Sequence, residues 1–409
     1  MHKLFHSEDF SIPTPEVWPP CGRGAMRIAI DIRPFLSRST GVGVLFENLL
    51  AELAVIDRTN HYLLFSSSLK QRPPDGLFAV CDNFRVLDHR FPVRLLNHVW
   101  HNYNFPPVEL FVGRVDVAHS PHPLLLPSRR ARRVVTIHDL HFLQRPDQVS
   151  GEIRRDYPRL VRKSAERADL VQTVSGFTRD AIVSLLGIPQ EKIRIVGPGV
   201  APPENPAGLR RLPLPGLNAG DYLAFVGTLE PRKNVPLLIR AYARLVEELG
   251  SAAPLRLALA GGGRPEYVRE LKTLAKELGI LHRVVFLGYC SRKDIWRFYA
   301  GAAALVITSS VEGFCIPLLE AMAAGTPVVA VATSAIPEVA GDAALLVEEG
   351  DLEGLSGALV EVLADGELRD RLVRRGRDRS RMFTWEASAK KLLGLYRELD
   401  SESPGGGSR

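Results

Sequence analysis

The sequence predicts an α/β protein made of two doubly wound units in tandem. Three observations predict it. Short apolar runs alternate with amphipathic stretches from Met26 to about Ala201, the pattern of a parallel sheet with helices on both faces. Five prolines, Pro202, Pro203, Pro206, Pro213 and Pro215, then fall within fourteen residues and interrupt any regular element. Beyond them the alternation restarts. At roughly 100–200 residues per domain, a chain of 409 residues calls for two or three domains.

Residues 1–25 carry Pro13, Pro15, Pro19 and Pro20, show no periodicity and lack the long apolar core of a signal peptide. They are expected to be a disordered extension, and Met26, just before the first strand at 27–32, fits a natural start. The first unit spans 26–205, with further strands expected at 61–66, 115–119, 133–138, 169–174 and 193–197 and helices at 42–55, 150–167 and 177–187. A Pro-rich linker covers 206–220. The second unit, 221–383, has strands at 222–227, 255–260, 284–288, 304–309 and 327–332. Its helices are expected at 234–249, 265–279, 292–300, 317–324, 351–364 and 366–378. A last helix within 384–400 lies beyond the second sheet's pattern, and the glycine-containing tail 401–409 is expected to be disordered.

Composition narrows the function classes. Apolar residues are 45% and charged residues 24% of the chain, enough to bury sizeable cores. Cys21, Cys81, Cys290 and Cys315 stand apart, without a C-x-x-C, which argues against a disulfide framework or a thiolate zinc site and for a reducing compartment. The most apolar stretch, Leu318 to Pro337, is interrupted by Glu320, Gly325 and Pro327 and reads as buried helix and strand rather than a membrane span of about 20 apolar residues. The net charge is +6. Between Pro121 and Leu170 eleven Arg/Lys face six Asp/Glu. That patch is a solvated face, or a surface for anionic lipid headgroups, a phosphorylated substrate or nucleic acid.

Four motifs carry chemistry. Gly41-Val-Gly43 follows the first strand, but Phe46 stands where a nicotinamide fingerprint needs Gly, and no acid follows about 20 residues on. What remains is a glycine turn that brings backbone N–H groups near a phosphate, or a plain strand-to-helix turn. In Gly227-Thr-Leu-Glu-Pro-Arg-Lys-Asn234, Arg232 and Lys233 sit where a strand gives way to a helix, with Asn234 as its expected N-cap. Cations there oppose the helix dipole unless an anion is bound, and a diphosphate is the natural counter-charge. Glu312-Gly-Phe-Cys-Ile-Pro-Leu-Leu-Glu320 contains Gly313 and Pro317, so Glu312 belongs on a loop, Pro317 at a helix start and Glu320 in the first turn. Its carboxylates suit sugar and ribose hydroxyls, and its free amides suit phosphate. His138 at a strand end is a site residue or a structural hydrogen-bonder, with Asp139 able to fix its tautomer. His119 and His122, at another strand end, line the acceptor side or pack the loop. Neither H-e-x-x-h nor D-x-D spacing is present, so no metal is expected.

The order and spacing of Gly41-Val-Gly43, Thr136-Ile-His-Asp139, Val174-Ser-Gly-Phe177, Gly227 to Asn234, Val285-Phe-Leu-Gly-Tyr289, Glu312 to Glu320, Ala321 to Pro327 and Ile336-Pro-Glu338 resemble the retaining glycosyltransferases of family 4. The resemblance runs from Met26 to Leu399 and implies the GT-B fold, two Rossmann-like domains facing a cleft. It assigns catalytic roles to His138 near the reacting carbon, to Arg232 and Lys233 on the donor pyrophosphate, and to Glu312 on donor-sugar hydroxyls. Gly41, Gly43 and Thr228 would approach the phosphates, and Leu287, Gly288 and Tyr289 would edge the base. Gly313, Phe314, Cys315 and Ile316 would hold the sugar and phosphate, and Glu320 the ribose. The sequence departs from the family pattern at Cys315, where the family usually has Gly, and at Thr228, where an additional Arg is often found.

The resemblance therefore implies a metal-independent, cofactor-free hexosyltransferase that uses a nucleotide-diphosphate sugar, GDP-mannose first and a UDP-sugar second. The form of the Gly227–Asn234 element resembles mannosyltransferases of bacterial surface polysaccharide assembly. The implied partners are the donor and a saccharide or lipid-linked saccharide acceptor, with peripheral membrane contact through the basic first unit and no nucleic acid. The expected location is the cytoplasm and the inner face of the cell membrane. Two other readings remain: a different GT-B chemistry, such as a sugar-nucleotide epimerase or phosphorylase, and a non-catalytic sugar-nucleotide-binding scaffold.

Overall fold

A computed structural model of the chain describes residues 24–35, 41–70, 72–73, 81–203, 209, 217–250 and 255–401. The expected N-terminal extension up to residue 23, most of the Pro-rich linker and the tail after Ser401 lie outside the described residues.

Each unit is built on one all-parallel sheet. The first contains β1 (Arg27–Asp31), β2 (His61–Ser67), β3 (Phe84–His89), β4 (Val117–Ser120), β5 (Arg132–Ile137), β6 (Leu170–Thr173) and β7 (Ile193–Ile195), in the order β3-β2-β1-β4-β5-β6-β7. The second contains β8 (Tyr222–Val226), β9 (Arg256–Ala260), β10 (Val284–Gly288), β11 (Ala304–Ile307), β12 (Val328–Val331) and β13 (Leu345–Val347), in the order β10-β9-β8-β11-β12-β13. The strand order reverses between β1 and β4 and again between β8 and β11. A crevice opens beyond the carboxyl ends of the strands at each reversal, and ligands of doubly wound sheets bind there.

Helices cover both faces of these sheets, so the central strands are buried throughout. Every residue of β11 and β12 is buried, which explains why Ala-Leu-Val-Ile and Val-Val-Ala-Val run apolar without alternation. Ala29 of β1 is as completely buried as Ile28 and Ile30, so the first strand is a two-faced core strand rather than an alternating one.

Elements not expected include β3, the helix Val93–Tyr103, β13 and the short helices Glu109–Val112, His141–Gln144 and Ile336–Ala340. The stretch expected as one helix over 177–187 is instead an α-turn Gly176–Ala181 continued by a π-helical segment Ile182–Leu186. The last helix, Trp385–Ser401, packs against the Gly41–Ile56 helix of the first unit: Ala389, Leu392, Leu393 and Tyr396 share one core with Leu45, Phe46, Leu49 and Leu53. A backbone bond from Val200 N–H to the Phe383 carbonyl (2.9 Å) and Ser388 Oγ on the Gly197 carbonyl (2.6 Å) fix its entry. Among the described residues no helix is long and apolar enough to cross a membrane.

Candidate active site

The loops at the carboxyl ends of β1, β5, β8, β9, β10 and β11 meet at one cleft between the units. Two adjoining cavities of about 220 and 370 Å³ occupy it, and Gly41, Gly227, Thr228, Ile316 and Pro317 wall both. Together they fall within the roughly 300–1,000 Å³ of small-molecule sites. The larger cavity is lined by His138 and Asp139 from the first unit and by Arg232, Lys233, Glu312 and the loop Gly313–Cys315 from the second. The smaller one is lined by Gly261, Gly262, Tyr289, Cys290, Arg292 and Glu320. Gly261 adopts φ +143°, and a Cβ there would sit 1.8 Å from the Gly227 carbonyl oxygen, so only glycine lets the two turns touch.

Arg232 and Lys233 lie in the 3-10 turn Pro231–Lys233. Lys233 Nζ donates to Glu312 Oε1 at 2.5 Å, and Arg232 Nη1 reaches Glu312 Oε2 at 3.4 Å while its Nε donates to Glu230 Oε1 at 2.6 Å. Thr308 Oγ1 holds the Lys233 carbonyl (2.9 Å), and Ser334 Oγ receives the Glu312 N–H (2.8 Å). Burial alone would raise the Glu312 carboxyl, but Lys233 and then Arg232 outweigh it and hold the group below its ordinary value. The two cations thus face two carboxylates, Glu312 and Glu230, in a charge-balanced cluster on the cavity wall, with Lys233 and Glu312 buried and Arg232 partly exposed.

Asn234 does not cap the following helix as expected. It adopts the left-handed conformation (φ 46°) and its side chain makes no capping bond, so it serves as the turn that redirects the chain from Lys233 into Val235–Leu249. The helix Ile316–Ala324 starts behind Cys315, which also sits at positive φ (78°). That conformation explains why a glycine is favoured at this position. The cysteine keeps the turn, and its buried thiol is pushed up to about 12, mainly by desolvation and secondarily by Glu312.

His138 Nε2 lies 2.9 Å from the Pro121 carbonyl oxygen. A carbonyl only accepts, so Nε2 carries the proton. Burial lowers the ring's pKa more than the Pro121 carbonyl and Asp139 raise it. The neutral ring therefore keeps Nδ1 as an acceptor, suited to a sugar hydroxyl rather than to proton donation. Glu320, expected in the first turn, is the fifth residue of the helix Ile316–Ala324 and so lies beyond it; it is buried and accepts from Arg292 Nη1 (2.7 Å) and Tyr299 Oη (2.9 Å). Burial raises its carboxyl above the ordinary value, and these two partners only partly offset that.

Several expected residues stand elsewhere. His119 is fully buried: Tyr396 donates to its Nδ1 (2.6 Å) and its Nε2 donates to Thr136 Oγ1 (2.9 Å), which itself donates to Gln172. Its pKa drops to about 3 through burial first. It pins the last helix to the first sheet and does not line the acceptor side. His122 Nε2 contacts Asp31 Oδ2 (3.3 Å), outside both cavities. Gly43 is buried inside the Gly41–Ile56 helix, so only Gly41 reaches the cleft. Leu287 and Gly288 line neither cavity, and of that segment only Tyr289 does. Arg292 and Glu230 were not anticipated, and Asp139, expected to fix the His138 tautomer, bonds His141 Nδ1 instead (2.7 Å), leaving that task to the Pro121 carbonyl. Arg292 had a legible signal, because it follows the N-cap Ser291, another cation at a helix start.

The two units also bond directly across the cleft. Glu338 accepts the Gly176 N–H on Oε1 (2.9 Å) and the Phe177 N–H on Oε2 (3.0 Å), capping the Gly176–Ala181 turn of the opposite unit. Arg145 pairs with Glu349 (2.6 Å), and Thr178 Oγ1 sits 3.4 Å from the carbonyl oxygens of both His138 and Gly313. Charge-assisted bonds to two amides hold this closed arrangement. Glu338→Ala is expected to lower kcat/KM about tenfold, roughly 1.4 kcal/mol of closure, while nucleotide affinity stays within about threefold. Steady-state kinetics and calorimetry check the pair of outcomes.

The comparisons agree with this geometry. The model for "Glycosyltransferase Family 4" matches residues 39–202, and that for "Glycosyl transferases group 1" matches 217–379. The chain is 31% identical over 287 residues to the O-antigen chain mannosyltransferase B of Escherichia coli, covering 69% of this chain and 74% of that one. Among solved structures, a sucrose-phosphate synthase from Thermosynechococcus elongatus superposes with a TM-score of 0.74 at 22% identity, over 92% of this chain and all of that one. Anabaena HepE, solved with UDP-glucose, gives 0.69 at 19% identity over 91% and 100%. Two Rossmann-like units closed on such a cleft define an enzyme of the GT-B architecture. Within that class the chain belongs to glycosyltransferase family 4, the glycosyl transferases group 1, and is a glycosyltransferase.

Proposed function

We propose that this glycosyltransferase moves a hexose, mannose before others, from a nucleotide-diphosphate sugar to a hydroxyl of a saccharide or lipid-linked saccharide, with retention of configuration and without metal or cofactor. The observation that carries the reading is the Arg232–Lys233–Glu312 cluster in a cavity continuous with the Glu320 pocket. A donor laid along both cavities has its ribose hydroxyls at Glu320, its diphosphate between the Ile316 helix start and the two cations, and its sugar at Glu312, the 313–315 loop and His138. Leaving-group charge then develops against fixed cations and amides, which stand in for a divalent ion. Glu312, the carboxylate of the sugar-binding motif, is not free to act as nucleophile, because both its oxygens face cations. The retaining route is therefore same-face displacement, in which a phosphate oxygen of the departing diphosphate takes the acceptor proton.

The mannosyltransferase relative supports GDP-mannose as the first donor, and HepE with UDP-glucose keeps a UDP-sugar as the second. The exposed face of the Gly151–Arg167 helix, with Arg154, Arg155, Arg159, Arg162 and Lys163, supports peripheral contact with anionic lipid at the inner face of the cell membrane. Salt-reversible binding to anionic vesicles tests that contact, and no binding at low salt removes it.

The deciding experiment incubates the full chain with GDP-mannose or UDP-glucose and saccharide acceptors, then follows diphosphate release and the anomeric configuration of the product. An α-mannoside with stoichiometric GDP, undiminished by EDTA, is the expected result. An inverted product, strict dependence on Mg²⁺ or Mn²⁺, or donor binding without transfer overturns the corresponding part of the reading.

A further inference from the structure

The smaller cavity ends in a residue that the donor reading leaves without a task. Arg292 is the first residue of the helix Arg292–Gly301, and its side chain is 47% exposed at the cavity wall. Nη1 is anchored on Glu320 Oε1 (2.7 Å). Its Nε and Nη2 have no protein partner among the described residues. A guanidinium held at one corner by a buried carboxylate keeps its opposite edge, Nε with Nη2, as a pre-aimed pair of donors. Tyr289, 58% exposed, lines the same cavity three residues earlier.

If Glu320 takes the ribose, the base lies toward Tyr289 and Arg292. We infer that Arg292 reads this base and favours one presenting two adjacent acceptors. Guanine does so with O6 and N7, the pair an arginine fork matches bidentately. Adenine pairs N7 with an amino donor that opposes the cation, and uracil offers O4 beside a C–H. The chemical class selected is therefore a guanosine diphosphate. This inference rests on the proposed nucleotide-sugar site and names the nucleotide it takes.

Calorimetric titration of the full chain with GDP, UDP and ADP tests it, on the unaltered protein and on Arg292→Ala and Arg292→Lys. The unaltered protein is expected to bind GDP at least about tenfold more tightly than UDP or ADP, in line with one bidentate contact. Arg292→Ala should lose that preference, the ratio of GDP to ADP affinity falling below about threefold, beside any loss common to all three nucleotides from the freed Glu320 Oε1. Arg292→Lys keeps the charge but not the fork and should also lack the preference. It decides the matter should the alanine variant fail to fold. Equal affinity for GDP and ADP in the unaltered protein, or a preference that survives both substitutions, even where all three nucleotides lose affinity alike, overturns the inference. Failure of the unaltered protein to bind any nucleoside diphosphate overturns the proposed function beneath it instead.

Discussion

Lys233→Ala is expected to lower transfer by at least about 10²-fold, since removing one preorganised donor aimed at developing charge costs roughly 2.7–4 kcal/mol. The structure adds a reason for the loss to be at the upper end. Lys233 is buried and neutralises Glu312 at 2.5 Å. Without it, the one cation left on Glu312 is Arg232, at 3.4 Å and shared with Glu230, and the cluster changes from charge-balanced to net negative where a diphosphate must bind. Stability should fall as well, because breaking a buried pair leaves its partner undercompensated, at a cost of about 3–5 kcal/mol when the partner is fully enclosed. A pH signature separates this charge effect from a packing defect. The folded-state pKa of Glu312 is depressed, so the pair stabilises the protein above the carboxyl's unfolded value, and the contribution is lost as pH falls through the folded value. The Ala variant should show a smaller acid-induced loss of melting temperature over that window. Single-turnover transfer and melting curves from pH 3 to 8 measure both effects, and near-normal turnover in Lys233→Ala would remove the diphosphate from this position.

Strand and helix alternation was legible because buried parallel strands such as β11 and β12 must be apolar on both faces, and that property is local. Elements lacking it escaped. β3 is an edge strand carrying Arg85 and Asp88, the polarity edges use against further pairing. In the helix Val93–Tyr103 only Leu96 and Trp100 are buried, a stripe too sparse to mark helical periodicity. β13 has three residues. The site was legible in residue type and not in pairing. A cation at a helix start announces an anion, which pointed to Arg232 and Lys233. Nothing local announces that Lys233 binds a carboxylate 79 residues away, or that His119 is absorbed by Tyr396, 277 residues on. Both histidines of Ala118-His-Ser-Pro-His122 carry the same local signal, and only long-range contacts show that His119 pins the last helix while His122 rests on Asp31. Gly43 followed the same logic: close to Gly41 it looked like phosphate-binding backbone, yet two residues further along the helix the chain has turned into the core.

Replacing Gly313 by alanine should cost as much transfer as losing Lys233, for a purely steric reason. A Cβ at this position would lie 1.8 Å from the His138 carbonyl oxygen and 3.3 Å from Asp139 Cβ. The obstacle is backbone of the opposite unit, which cannot rotate aside as a flexible side chain does. Restoring even a 3.0 Å contact demands about 1.2 Å of separation, and misplacing reacting groups by about 1 Å costs on the order of 10²-fold. The displaced groups are those that must converge on the donor sugar: His138 and Asp139 on one side, Glu312 and the 313–315 loop on the other. Thr178 Oγ1, which sits between the carbonyls of His138 and Gly313, would lose one of them. Gly262, Tyr289, Arg292 and Glu320, which wall the smaller cavity with Gly41 and Val44 of the first unit, all belong to the second unit and do not touch this contact. Gly313→Ala is thus expected to reduce kcat/KM at least about 10²-fold while nucleoside diphosphate affinity changes less than about threefold. Loss of nucleotide binding in parallel would mean that the second unit itself is damaged, and near-normal transfer would mean that the closed contact between Gly313 and His138 is not the one in which the reaction occurs.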